Sequence, residues 1–281
     1  MKVLVTGSAG RLGQAIIELL RFKKIQSIGI DLLKSKTTDI VLDIRNKKDV
    51  ANVIKKVDRV IHTAAVHGRH LDMNLPRIDF IETNILGTLH LLEASAQNGI
   101  KSFIYTSTTS VYGKSMENAN NAVWVDEQLP AVPRDIYDIS KLTAENLCRD
   151  SFEKDKLNCC VLRVSRFMDE PKNEIANYRL YRGLDEKDGA EAHLLAVHRQ
   201  FKTFEIFNIS NDTPFKMTDL KTLKNNPKKV IVKYYPTSED IYAKRGWTFP
   251  KSIDRVYSID KAKKHLHYQP KNNFLEYISS D

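Results

Sequence analysis

Three glycines spaced by three, Gly7, Gly10 and Gly13, stand directly behind the apolar run Val3-Leu4-Val5 and ahead of Gln14 to Leu20, which has helical patterning. Strand, glycine turn and helix in this order make a cradle for a dinucleotide pyrophosphate. One glycine allows the sharp turn, one lets backbone N–H groups approach the phosphates, and one lets helix and strand pack closely. The positive end of the helix dipole then faces the anion. A second apolar run, Ser27-Ile28-Gly29-Ile30, ends at Asp31. A carboxylate there accepts hydrogen bonds from the adenosine ribose and repels a 2′-phosphate, which favours NAD over NADP. Lys34 and Lys36 follow closely enough to leave NADP open.

Strand and helix patterns alternate through the first two thirds of the chain. A short run over Asp39–Leu42 precedes a polar helix near Lys47–Lys55, and a strand spans Asp58–His62. A long helix over Asp79–Asn98 closes at Gly99, followed by a strand over Ser102–Thr106, a helix over Asp135–Lys154 and a strand over Cys159–Val164. Repeated βα units imply a parallel sheet covered on both faces. The expectation is therefore an α/β fold, a Rossmann-type doubly wound parallel sheet with a small C-terminal substrate-binding region. Residues 1–165 form the dinucleotide-binding core, and 166–281 form a mixed region that partly joins it. In the second part, Ala190–His198 reads as helix, Phe204–Ile209 and Val230–Tyr235 as strands, and Ser258–His265 as helix. Between Arg163 and Asp188 the expectation is little more than a loop.

The net charge of +9 raises a nucleic-acid partner, but the lysines are dispersed, and their densest runs, Lys221–Lys229 and Lys261–Lys264, read as solvated faces. Such a surface also attracts a phosphorylated or carboxylated small molecule. The dispersal of the lysines argues against a nucleic-acid partner, and no membrane partner is expected because no apolar stretch reaches spanning length. The chain begins on its first core strand, so the expected location is the cytosol. Of three cysteines, Cys148, Cys159 and Cys160, two are neighbours on a strand and point to opposite faces. That suits buried thiols, not a disulfide or a metal site.

Tyr137 and Lys141 stand four apart at the start of a helix and share one face. A phenol titrates near ~10, too high for a base at neutral pH. A neighbouring ammonium and an oxidised nicotinamide stabilise the phenolate. Tyr137 is then the candidate proton acceptor for a substrate hydroxyl, with Lys141 bonding the nicotinamide ribose. The strand ahead of this helix ends in hydroxyls, Thr106-Ser107-Thr108-Thr109-Ser110, placed to hold the reacting oxygen.

Together, Thr6-Gly7-Ser8-Ala9-Gly10-Arg11-Leu12-Gly13, Asp43-Ile44-Arg45, His62-Thr63-Ala64-Ala65, Asn84-Ile85-Leu86-Gly87-Thr88, Ser110-Val111-Tyr112-Gly113 and Tyr137 to Lys141 resemble the extended short-chain dehydrogenase/reductases, the NAD-dependent epimerase/dehydratase family. The likeness is dense over residues 1–165. It implies Thr108, Tyr137 and Lys141 as the catalytic trio. It places Gly7, Gly10, Arg11, Leu12 and Gly13 at the pyrophosphate, Asp31 at the ribose, and Asp43 and Ile44 at the adenine. Ala64 and Ala65 fall beside the phosphates and ribose, and Asn84 lies near the cofactor. A homodimer formed by the helices around Asp79–Asn98 and Asp135–Lys154 is likewise implied by the resemblance.

Relatives that act on nucleotide sugars carry a longer insertion after the sixth strand, and a short one buries little ligand. Asn177-Tyr178-Arg179, after Glu170-Pro171, resembles the segment with which uronate dehydrogenases hold a sugar acid, and an arginine grips a carboxylate in bidentate fashion. Arg179, His67, Thr108 and Thr109 are thus the substrate candidates, with Gly68, Arg69 and His70 in the same loop. Trp247, beside Phe249 and Pro250, is expected as a packing anchor. The function implied is hydride transfer between nicotinamide and a secondary alcohol of a sugar or sugar acid. The alternatives are a nucleotide-sugar 4-epimerase with transient oxidation and a non-catalytic dinucleotide sensor.

Overall fold

The computed structural model describes residues 1–67 and 73–279. Seven parallel strands form the main sheet: β1 Lys2–Thr6, β2 Gln26–Asp31, β3 Ile40–Val41, β4 Arg59–His62, β5 Ser102–Thr108, β7 Cys159–Val164 and β8 Glu205–Ile209. Their order is β3-β2-β1-β4-β5-β7-β8, so the chain reverses its direction of growth between β1 and β4. Ligands of such sheets bind beyond the carboxyl ends of the strands at that switch point. A small parallel pair, β6 Val123–Val125 with β9 Arg255–Tyr257, stands apart.

Strands β1 and β7 are buried almost end to end, because helices cover both faces of the sheet. On one face lie α1 Arg11–Phe22, α7 Glu186–Val197 and α11 Asp260–Leu266, contributing Ile16, Leu20, Leu194 and Leu266 to one core. On the other lie α2 Lys47–Ile54, α4 Gly87–Gln97 and α5 Ile136–Lys154, contributing Val50, Leu91 and Ala144. Cys160 belongs to the first core and Cys159 to the second, as strand alternation requires, and all three thiols are free.

Capping sets the helix starts. Asn46 accepts from the N–H groups of Lys48 and Asp49, and Asp135 accepts from Asp138 N. The long helix expected over Asp79–Asn98 is not uniform. It runs from α3 Arg77–Phe80 through a π-helical turn, Ile81–Leu86, into α4.

Two expectations for the later chain need correction. Val230–Tyr235 is not a strand but the end of a helix, α9 Pro227–Tyr234. Pro227 starts the helix, and Val230 and Ile231 pack into a third core while the lysines stay outside. The β-branched run had suggested a strand by residue type alone. The segment between Arg163 and Asp188 is also more than a loop, since it carries α6 Lys172–Arg179. That helix joins the third core through Ala176, alongside α8 Leu220–Asn225, α10 Ser238–Arg245 and α12 Phe274–Ser279. Trp247 packs edge-on to Tyr242 at 5.6 Å in this cluster.

Candidate active site

The glycine turn follows β1. Gly7 has φ +71°, and a Cβ there would lie 2.6 Å from Ala64 N. At Gly13 a Cβ would collide with the Gly7 carbonyl, so this glycine lets α1 sit against the turn. Gly10 caps α1, and a Cβ there would meet only Gly7 O, at 3.2 Å. Arg11 and Leu12 occupy the first turn, where helix N–H groups have no intrahelical partners. The Arg11 side chain reaches sideways to Met168 O at 2.6 Å, Asp169 at 3.0 Å and Glu186 at 3.2 Å.

Asp31 ends β2, and the turns orient its carboxylate: it accepts from Ala9 N at 3.0 Å and Leu33 N at 2.9 Å. The two lysines behind it are engaged elsewhere, Lys34 with Thr38 O at 2.9 Å and Lys36 with Glu18 at 2.7 Å. Asp43 follows β3 and binds the Arg45 guanidinium, whose hydrogen bonds hold its carboxyl below the usual carboxylate range. Ile44 beside it is buried.

Beneath the switch point lies a chain of hydrogen bonds centred on His62, which pattern reading of the sequence missed. Thr88 Oγ1 donates to Asn84 O at 2.6 Å, which leaves it an acceptor for His62 Nε2 at 2.9 Å. His62 Nδ1 then accepts from Thr6 Oγ1 at 2.7 Å, and Thr6 Oγ1 accepts from Ala64 N at 3.1 Å. The backbone of Ala64 is thereby fixed against Gly7, with Ala65 next along the same loop. Burial drives the His62 pKa down to about 3, so the ring is neutral. Asn84, in the π-turn, does not reach outward. Its amide bonds Val66 N and O at 2.7 and 2.9 Å and Ser140 Oγ at 2.9 Å, tying the β4 exit to the helix that carries Lys141. A hidden polar group held from three sides leaves no periodic signal in sequence.

The structure brings Thr108, Tyr137 and Lys141 together. Thr108 ends β5, where its hydroxyl accepts from Ser110 N at 3.1 Å and draws the Tyr137 phenol pKa down. Tyr137 is 7% exposed and Lys141 3%, both on the first turns of α5. Lys141 Nζ donates to Thr106 O at 2.6 Å and lies 4.3 Å from the Tyr105 ring centre. Burial lowers the Lys141 pKa to about 7, against the pull of the Glu145 carboxylate. Burial likewise raises the Tyr137 phenol, which Asp138 and Asp135 reinforce and which the Thr108 hydrogen bond and Arg166 oppose. Thr106 Oγ1 in turn bonds His193 Nε2 at 2.8 Å, while His193 Nδ1 donates to Gly189 O at 2.7 Å.

Of the substrate candidates, His67 lies at this mouth, its ring 5.2 Å from that of Tyr137. Thr109 is buried in the short helical turn after β5. Gly68, Arg69 and His70 lie outside the described residues. Arg179 is a correction. Its guanidinium pairs with Asp185 at 2.7 Å, donates to Asn272 O and packs on the Tyr277 ring, so it clamps the C-terminal segment and has no fork left for a substrate carboxylate.

A dinucleotide fits these residues. Pressing Gly7 on Ala64 and Gly13 on Gly7 leaves the Gly10 side of the turn open to a pyrophosphate, and the oriented Asp31 carboxylate stands one strand away. Fold and site define a short-chain dehydrogenase/reductase of the Rossmann type. The NAD dependent epimerase/dehydratase family model matches residues 3–173, more than half of the chain, which therefore belongs to that family and is an NAD-dependent enzyme of its kind. An uncharacterized UDP-glucose epimerase of Bacillus subtilis is 25% identical over 324 aligned residues, covering 100% of this chain and 96% of its own. A uronate dehydrogenase of Pseudomonas syringae pv. tomato is 25% identical over 179 residues, and the match spans 61% of this chain and 62% of that one, less than two thirds of its length. Among solved structures, a short-chain dehydrogenase/reductase superfamily protein of Agrobacterium tumefaciens with bound NAD superposes with a TM-score of 0.75 at 19% identity, covering 99% of this chain and 95% of that one. No helix among the described residues is long and apolar enough to cross a membrane.

Proposed function

We propose that this enzyme oxidises a secondary alcohol of a sugar or sugar-acid substrate, with Tyr137 receiving the hydroxyl proton. The meeting of the end of β5, which carries Thr108, with the first turns of α5, where Lys141 is tied to Thr106 O behind Tyr137, carries the reading. NAD held between the glycine turn and Asp31 supplies the acceptor for the electron pair and hydrogen that leave the alcohol carbon. Thr108 shares the reacting oxygen with the phenol and fixes its direction. Lys141 stands one turn behind the phenol on the buried side of the site, anchored through Thr106 O. Ala64 and Ala65 present backbone along the cofactor, Asp43 and Ile44 border its adenine end, and His67 covers the reacting side.

The full-length likeness to a UDP-glucose epimerase favours a second outcome of the same chemistry, in which the ketone is reduced again on its opposite face and no NADH accumulates. Purified enzyme incubated with NAD and a panel of free sugars, uronates and nucleotide sugars separates the two. NADH formation marks the dehydrogenase, and sugar inversion without NADH marks the epimerase. Tyr137→Phe should lower turnover about 10²- to 10⁴-fold with NAD affinity unchanged; a variant as active as the native enzyme would overturn the assignment.

The assembly belongs to the same reading. Ile78 is 55% exposed, Leu86 43% and Ile139 48%, all on the helices expected to pair in a homodimer. Three free, buried thiols suit a reducing, cytosolic setting.

A further inference from the structure

All strands of the main sheet are parallel, so the turns that lead into them share the edge opposite the cofactor cradle, which lies beyond the carboxyl ends. Lysines dispersed along the chain meet at this edge. Lys23 and Lys24 precede β2, Lys55 and Lys56 precede β4, Lys101 precedes β5 and Lys202 precedes β8, and all are exposed. Among the described residues no carboxylate pairs with any of them. Acids of the same turns have other partners: Asp58 accepts from Lys2 N at 2.7 Å, Asp155 from Ser151 Oγ at 2.7 Å, and Glu205 pairs with Lys261 at 2.8 Å. Glu153, exposed beside Lys154, is a counter-charge in the row. Hydrogen bonds stitch the turns into one surface. Lys101 N donates to Asp58 O at 2.9 Å, Asn158 Nδ2 to Arg199 O at 2.8 Å, and Gln200 Nε2 to Lys101 O at 3.3 Å. A helix C-terminus favours a cation only within its last turn. Lys101 and Lys202 lie past the ends of α4 at Gln97 and α7 at Val197, outside that range.

From β2 to β8 the row extends roughly 24 Å, at about 4.8 Å per strand. A line of fixed positive charge suits a linear polyanion, which releases condensed counterions as lysines replace them. The β2 end also offers contacts for a base. Phe22 is 80% exposed, with Lys23 Nζ 6.0 Å from its ring centre. Beside it a pocket of about 510 Å³ is lined by apolar Ile25 and Leu194, cationic Lys23 and Arg199, His198 and the acid Glu191. A bare aromatic ring stacks on a base of any sequence, and an unpaired strand leaves its bases free to do so. A lipid surface is held instead by a broad apolar face, and the large apolar side chains exposed at this edge are Phe22 and Met1. We propose that the edge where the strands begin binds single-stranded nucleic acid, with phosphates along the lysine turns and a base at Phe22. Lysines that are dispersed in the sequence are gathered by the parallel topology.

Fluorescence anisotropy of labelled oligo(U) and oligo(dT), each of about 20 nucleotides, tests this between about 50 and about 200 mM KCl. The native protein should bind both. Its log affinity should fall against log salt with a slope of about −3 to −5, as roughly four to seven neutralised phosphates require. Lys23→Gln, Lys56→Gln, Lys101→Gln and Lys202→Gln combined should weaken binding at least about 10-fold at the low-salt end and flatten the slope by about 2 to 3. Phe22→Ala should weaken it about 5-fold or more. The same loss of charge through Lys221→Gln, Lys229→Gln, Lys244→Gln and Lys251→Gln, on and beside the helices of the third core, should change affinity less than about 3-fold. NAD affinity should stay native throughout, since none of these residues belongs to the cradle. An equal loss in the two lysine sets would assign the binding to net charge and overturn the proposal. So would a native slope shallower than about −2, tighter binding of a duplex of the same length, or unchanged affinity in Phe22→Ala. Capture by phosphatidylserine vesicles at a salt concentration where the oligonucleotides stay free would also overturn it. The native slope and the duplex comparison decide the matter even where a combined variant fails to fold.

Discussion

Lys141 combines burial with charge, and the two oppose each other. Its pKa falls to about 7 in the folded protein against 10.5 for a free lysine. Between those values the unfolded chain binds more protons than the native one, so this residue's contribution to stability rises with pH from about 7 to 10.5. Below about 7 the buried ammonium is destabilising in full. Lys141→Met should therefore raise the Tm of the cofactor-free protein on the acid side of neutrality, gain less in alkali, and abolish turnover. Differential scanning calorimetry across that range, with an NADH assay alongside, checks both halves. A lower Tm at every pH would show that the bond to Thr106 O outweighs the desolvation of the charge.

The buried histidines act at the other end of the scale. Burial keeps His62 neutral down to about pH 3 and His193 down to about pH 4. An unfolded histidine takes up its proton near ~6.5, so below that value the unfolded state binds more protons and stability falls. The loss is roughly 1.4 kcal/mol per pH unit for each ring, ending near about 4 for His193 and about 3 for His62. His193→Asn should flatten the decline of stability between about pH 6.5 and 4 in urea titrations. An unchanged slope would mean that the ring is already protonated in the native state.

Among the elements, α5 does more than carry Tyr137 and Lys141. One turn beyond Lys141, Glu145 accepts from Ser107 Oγ at 2.5 Å and pairs with Arg163 at 2.7 Å, with side chains 2% and 6% exposed. Ser107 precedes Thr108, so this buried pair locks the helix to the end of β5, where the Thr108 hydroxyl emerges. Glu145→Gln leaves the Arg163 charge buried without its partner and should cost about 3–5 kcal/mol of stability. The double change Glu145→Leu with Arg163→Leu should restore most of it, as chemical denaturation would show. The start of α5 is readable from Asp135 and the apolar spacing. The partner of Glu145 is not, because Arg163 lies on a strand that looks uniformly apolar around it. The π-turn at Ile81–Leu86 is hidden for a similar reason: it hangs on the Asn84 bonds to Val66 and Ser140, both supplied by other elements. Helix α9 was misread because Val230 and Ile231 have strand-like side chains, and only the third core decides which face they present.

For the whole molecule, Ile78, Leu86 and Ile139 are exposed apolar side chains on the helices expected to pair, among others such as Phe22 and Leu33 elsewhere on the surface. Analytical ultracentrifugation of the native protein should give a dimer. Leu86→Glu with Ile139→Glu should give a monomer that binds NAD with unchanged affinity, since neither residue belongs to the cradle. A native monomer would remove the pairing and leave those side chains as ordinary surface.

Residues 1–67, 73–113 and 135–165 show how far local chemistry reaches. Turn glycines, strand alternation, an acid at the end of β2 and a four-residue spacing on a helix each constrain neighbours in the chain, so the parallel sheet and the glycine turn behind its first strand were legible in the amino acids, while the choice of Thr108 from its run of hydroxyls came from the family resemblance. Partnership between distant residues was not legible. Arg179 satisfied a motif yet spends its charge on Asp185 and the Asn272 carbonyl. Which arginine is consumed and which stays free depends on the carboxylates that folding brings within a few ångströms, and no spacing along the chain encodes that.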